Sequence, residues 1–163
     1  MNSISELRRI LGSCKTIAVV GLSPQWHRPS FFAAKYMQAH GYRIVPINPQ
    51  ATEILGERSY PSITAAAQAL AAQGEGIDMV DCFRKTGDIA PLADEAIAIG
   101  AKCLWQQIGV LNDAAADKAR AAGLDTVLDR CVKIEHARLY GGLNWAGVNT
   151  KVISSRRPQQ LPY

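Results

Sequence analysis

The chain has 163 residues, 48% apolar and 20% charged, which suits one globular domain with a full core. No apolar run reaches the roughly 20 residues of a membrane span, and no Lys/Arg stripe alternates with aromatics, so neither a membrane nor a nucleic acid is an expected partner. The formal charge of +4 is modest and owes much to Lys151, Arg156 and Arg157, which read as a solvated tail. The opening MNSISELRRILGSC lacks the pattern of a secretory leader, so a cytoplasmic protein is expected. Four cysteines, at 14, 82, 103 and 131, are too far apart for CxxC or half a zinc site. Reduced thiols and no metal centre are expected, with Cys131 the one nearest the surface.

Residues 4–12 put Ile4, Leu7, Ile10 and Leu11 on one face of a short helix that Gly12 can end. A strand over 16–20 runs through Ile17-Ala18-Val19-Val20 and stops at Gly21. A polar, Pro-rich loop with His27 and Arg28 leads to a helix over about 30–40, with Ser30 as the expected N-cap. Buried strand, glycine turn and helix N-terminus open a βαβ nucleotide-binding unit, whose free N–H groups and positive dipole end suit an anion. Strand 43–47, RIVPI, carries Pro46, which lacks a donor and points to a strand end or a sheet edge. Asn48-Pro49 turns the chain, residues 50–61 read as loop, and Ser62 caps a helix to about 72. Strands 77–83, 102–106 and 125–129 alternate with helices over about 88–99, 113–122 and 131–140. Trp105 reads as core, and Glu135 and His136 as a solvated helix face.

Five strand–helix alternations with short connections predict an α/β fold: a single Rossmann-like, doubly wound parallel sheet of about five strands, order 3-2-1-4-5, flanked by helices. The domain spans 1–140. The extension 141–163 has no clear period, yet Leu143, Trp145, Val148, Val152 and Ile153 give it apolar side chains. Residues 141–155 are expected to pack on the body or on a second copy, which makes a homodimer an expectation.

In such a sheet, ligands bind at the carboxyl ends of the strands. A nicotinamide dehydrogenase would place GxGxxG after the first strand and an acid after the second; this chain has Gly21 alone and Asn48. No P-loop, GxSxG elbow, HExxH or spaced carboxylate pair occurs, so no catalytic set emerges.

The strand ends carry, in order, VVGLSP with HRPS, PINP, DCFR, WQQIG and DRC. The five together, spanning roughly residues 5–137, resemble the stand-alone CoA-binding domain family, related to the CoA-binding domain of the succinyl-CoA synthetase alpha subunit. The resemblance implies coenzyme A, free or acylated, as the small-molecule partner. It implies that Gly21, Leu22 and Ser23 let the loop approach the nucleotide, that Arg28 pairs with a phosphate, and that Pro29-Ser30 aims a helix at it. Asn48-Pro49 borders the adenosine, Phe83-Arg84 walls the pantetheine, and Gln107 and Gly109 form the far rim. The synthetase's phosphohistidine domain has no counterpart, since none of His27, His40 and His136 lies in a glycine-rich loop. The reading is a CoA-binding protein without catalysis. Its alternatives are a small NAD(P)- or acyl-CoA-dependent enzyme on the same fold, and a CoA-sensing interaction module. Cys131 beside such a site suggests a mixed disulfide with CoA.

Overall fold

Ser3 starts the first helix with a reciprocal cap: its hydroxyl accepts from the Glu6 N–H, and the Glu6 carboxylate accepts from the Ser3 N–H. The computed structural model describes residues 2–140, so the expectations for 141–163 lie outside the described residues. In chain order the elements begin with α1 (Ile4–Ser13), β1 (Thr16–Val20), α2 (Pro29–Ala39) and β2 (Arg43–Ile47). A small hairpin of β3 (Glu53–Ile54) and β4 (Glu57–Arg58) precedes α3 (Ile63–Ala71) and β5 (Met79–Cys82). A 3-10 turn over Thr86–Asp88 enters α4 (Ile89–Ala98), then come β6 (Cys103–Gln106), α5 (Asp113–Ala121), β7 (Asp125–Val127) and α6 (Val132–Tyr140). Ser62 caps α3 through the Ala65 N–H, and Asn112 caps α5 through the Ala115 N–H. The hairpin falls in the segment expected to be loop. Its turn uses Leu55 at φ 57° and Gly56 at φ 75°, and leucine gives no signal for such a turn. Among the described residues no helix is long and apolar enough to cross a membrane.

The five long strands form one parallel sheet in the order β2-β1-β5-β6-β7. The fold class is as expected, but the strand order is not. Counting only these five strands, the order is 2-1-3-4-5 rather than 3-2-1-4-5. The reason lies at β2. Neighbouring residues of a parallel strand address opposite sides. The Pro46 carbonyl accepts from the Tyr60 N–H at 3.0 Å, so Pro46 presents its donorless nitrogen to the outer side too. The segment around Tyr60, which also accepts from the Asn48 N–H at 2.9 Å, occupies the flank where a third strand would pair. β5 therefore joins β1 on its other side.

Side chains alternate across the sheet. Ala18, Val20, Val80, Cys82 and Leu104 pack against α3, α4 and α5. Ile17, Val19, Met79, Cys103 and Trp105 pack against α1, α2 and α6. The indole of Trp105 is fully buried, and its N–H donates to the Arg130 carbonyl at 2.7 Å.

On α6 the expected solvated face is in fact buried. Glu135 is fully sealed and accepts from Arg130 at 2.9 Å and from Arg138 at 2.5 Å, so two guanidiniums offset its desolvation. His136 packs among Tyr36, Tyr42 and Tyr140, and its Nδ1 lies 3.1 Å from the Tyr36 hydroxyl. Burial, then the nearby charges of His40 and Lys15, lower its pKa. Polar side chains thus carry part of the α1–α2–α6 layer, and an apolar periodicity test does not register them.

Candidate functional site

β1 ends against a steric limit. Gly21 has φ 82°, its N–H donates to the Ile47 carbonyl at 3.0 Å, and a Cβ here would lie 2.6 Å from the Phe83 carbonyl oxygen and 3.0 Å from Arg84 Cδ. Glycine lets the turns after β1 and β5 touch, as the positive φ also requires. In this strand order the winding of the chain reverses between β1 and β5, which makes this contact the topological switch point, where parallel sheets of this kind commonly take a ligand.

The loop then folds back on the start of α2. The Ser23 N–H donates to Ser30 Oγ at 3.1 Å, while Ser23 Oγ accepts from the Gln25 N–H at 3.1 Å. Ser30 is therefore not the N-cap. That position belongs to Arg28, with Pro29 at the first helical position and Ser30 buried as a loop anchor. Arg28 is exposed, and its Nε donates to Gln25 Oε1 at 3.2 Å. It has no carboxylate partner among the described residues.

The other expected site residues sit at the same edge in different roles. The Leu22 side chain is wholly within the core; its carbonyl faces the edge and accepts from Asn48 Nδ2 at 2.9 Å. Asn48 Oδ1 accepts from the Gln50 N–H at 2.9 Å, so its amide ties two loops together and offers no acid for a ribose diol. Pro49 stands exposed beyond it. Phe83 is half-buried on the α1–α2–α6 layer, and Arg84 pairs with Asp88 at 3.1 Å. The Gly109 N–H donates to Asp129 Oδ1 at 2.7 Å, which turns this residue toward the end of β7. Gln107 is buried and donates from Nε2 to Asp81 Oδ1 at 2.7 Å. Gly21, Phe83 and Arg84 are thus brought together, as are Ser23 with Ser30 and Leu22 with Asn48; Pro49 and Gly109 look outward.

A family model described as CoA binding domain matches residues 15–137, which takes in every one of these strand ends. The chain belongs to this CoA-binding domain family. It is 35% identical over 135 residues to the uncharacterized protein YneT of Bacillus subtilis (strain 168), spanning 83% of this chain and 95% of that one. A solved structure of a hypothetical protein from Pyrococcus horikoshii OT3 is 37% identical, with a TM-score of 0.78 over 86% of this chain and 94% of that chain. The dinucleotide-forming acetyl-coenzyme A synthetase 1 of Ca. Korarchaeum cryptofilum shares the fold at 19% identity and a TM-score of 0.59, over 74% of this chain and 26% of that one.

Within this CoA-binding domain, sequence reading passed over Asp81. It is 1% exposed, and burial, opposed by the Gln107 hydrogen bond, pushes its pKa up to about 7. The signal was present: an acid inside the apolar run IDMVDCF breaks the pattern of a buried strand. Trp26, at 78% exposure in the loop after β1, was also missed, and Asp129, the first residue of the DRC strand end, holds φ 54° to reach Gly109. Cys131 is partly exposed, but burial raises its thiol pKa, which lowers the thiolate fraction a mixed disulfide needs. Among the described residues no three His, Cys, Asp or Glu side chains are grouped to hold a metal ion.

Proposed function

We propose that this chain is a cytoplasmic protein that binds coenzyme A, free or acylated, at the carboxyl edge of its sheet, over the β1–β5 contact, with no catalytic step of its own. The observation that carries this reading is Arg28. It stands exposed at the first turn of α2 beside the Gly21 turn, with no carboxylate to neutralise it among the described residues. Coenzyme A brings a pyrophosphate and a 3′-phosphate, and a free guanidinium at a helix N-terminus suits such groups. The commitment of Asn48 to the loops disfavours a dinucleotide held through a ribose-binding acid. His27 packs edge-on against Trp26 and has no orienting carboxylate among the described residues, so it lacks the support a general base requires.

Mass spectrometry of small molecules released on denaturation, followed by calorimetry with CoA, acetyl-CoA, NAD and ATP, tests the proposal. Binding of CoA with a Kd on the order of micromolar is expected, and Arg28→Ala should weaken it about tenfold. Binding of NAD without CoA overturns the reading. Turnover of acyl-CoA thioesters removes its non-catalytic part.

A further inference from the structure

Asp81 and Gln107 form a pair whose hydrogen bonding is left half complete. Asp81 lies in β5 with Val19 of β1 and Trp105 of β6 directly beside it in register. Gln107 stands two residues beyond Trp105, and alternation along the strand puts it with Asp81 on the α2 side of the carboxyl edge. Gln107 is 5% exposed. Its Nε2 donates to Asp81 Oδ1, while its Oε1 and the second Asp81 oxygen have no hydrogen-bond partner among the described residues. Among those residues, Thr126 Oγ1 is the one fully sealed side-chain nitrogen or oxygen that lacks a partner. Neither of these two oxygens is a fully sealed orphan, and Gln107 keeps the larger residual exposure, 5% against 1% for Asp81, so the Gln107 amide is the group nearer to solvent at the strand ends.

We infer that Asp81 fixes the polarity of Gln107 and that the two together read an amide N–H donor on the pantetheine arm of the ligand. This rests on the coenzyme A reading above. An ionised Asp81 only accepts hydrogen bonds, so it holds the Gln107 amino group and turns the amide oxygen outward. The strand ends then show the Gln107 amide oxygen as an acceptor, backed by the Asp81 carboxylate. The pantetheine arm has two secondary amides, each with one N–H to give. A protonated Asp81 donates to the Gln107 oxygen instead and turns the amino group outward, where it meets the ligand N–H as a second donor. Ligand binding therefore favours the ionised form and releases a proton.

The raised pKa places this change near neutrality. The ionisable neighbours that feel Asp81 are the thiols of Cys82 on its own strand, Cys103 on β6 and Cys131 before α6, all held protonated by burial. Arg130, after β7, is committed to Glu135, and Arg84, after β5, to Asp88. From the α2 side, the Arg28 guanidinium lies against Gln25.

Calorimetry of the full chain between pH 6 and pH 8, with CoA and with adenosine 3′,5′-bisphosphate, which lacks the pantetheine arm, tests the inference. The ratio of CoA to bisphosphate affinity should rise about tenfold across this range in the wild type. Asp81→Asn should show a smaller rise by that factor. The phosphates titrate alike in both proteins, so the difference isolates Asp81. Gln107→Leu should lower the ratio and flatten it in the same way. Equal slopes in the wild type and either variant overturn the inference while leaving CoA binding intact. Absence of CoA binding by the wild type at every pH overturns the underlying reading, and this inference with it.

Discussion

Gln106 and Gln107 are consecutive, both buried, and point to opposite helical layers. Gln106 uses both ends of its amide on the Asn112 backbone, accepting from its N–H at 2.7 Å and donating to its carbonyl at 3.1 Å. Gln107 uses one end, on Asp81. The same contrast runs through the two layers. The α3–α4–α5 layer is built from alanine and aliphatic side chains, and its orphan hydroxyl, Thr126 Oγ1, is sealed. The α1–α2–α6 layer buries Asp81, Gln107, Glu135 and His136, and the Gln107 amide oxygen, next to the strand ends, has no partner among the described residues. A polar group that is completed inside the protein serves the fold. One that is left incomplete yet open to solvent is available to a ligand.

Three substitutions sharpen that contrast. Glu135→Ala should have the largest effect, because it leaves Arg130 and Arg138 close together in a mostly buried site with no anion between them. A loss of about 3–5 kcal/mol in urea unfolding is expected. A loss below 1 kcal/mol would show that polar burial on this layer is not structural. Gly21→Ala should follow, at about 3 kcal/mol, since the new methyl meets the Phe83 carbonyl and the φ is positive. Gly123→Ala, on the other layer at φ 93° with open space around it, should lose only about 1 kcal/mol by the same measurement. Equal losses would mean that backbone strain alone sets the effect, without the β1–β5 contact.

Asp81→Asn should act in the opposite direction. The folded carboxyl has a pKa of about 7, above its unfolded value of 3.8, so the native state holds the proton more tightly. The wild type is fully stable in this respect below the unfolded value and loses stability as pH rises to about 7. Asparagine has no such slope. Thermal unfolding should therefore show little difference near pH 3.5 and a gain of about 2 kcal/mol for the variant at pH 8. A variant less stable than the wild type at pH 8 would place Asp81 among the groups that serve the fold.

Much of this was legible in the sequence. The run from Ile17 to Val20, the stop at Gly21 and the Ser62 cap are local signals, and each landed where expected. The strand order was not legible by pattern, because order depends on which flank of a strand is free. Pro46 held that information, since its missing donor marks an edge, and an edge strand cannot have strand three beyond it. Glu135 was misjudged because its burial depends on Arg130, five residues before it, and Arg138, three after it. Ser30 resembled a cap because it stands beside a proline at a helix start, yet its hydroxyl serves Ser23 across seven residues. The expected site residues gather along the strand ends because strand ends are fixed by the fold, while their individual hydrogen bonds depend on partners that no spacing reveals.

The outer rim of β2 has a consequence for how the protein survives at high concentration. An open strand edge invites pairing with another molecule and growth into aggregates. Here Pro46 withholds a donor and the Tyr60 segment covers that flank. At the opposite rim β7 is three residues long, and Asn2 Nδ2 occupies the Thr126 carbonyl at 3.1 Å. Among the described residues, both margins of the five-stranded sheet are thus blunted against templated growth.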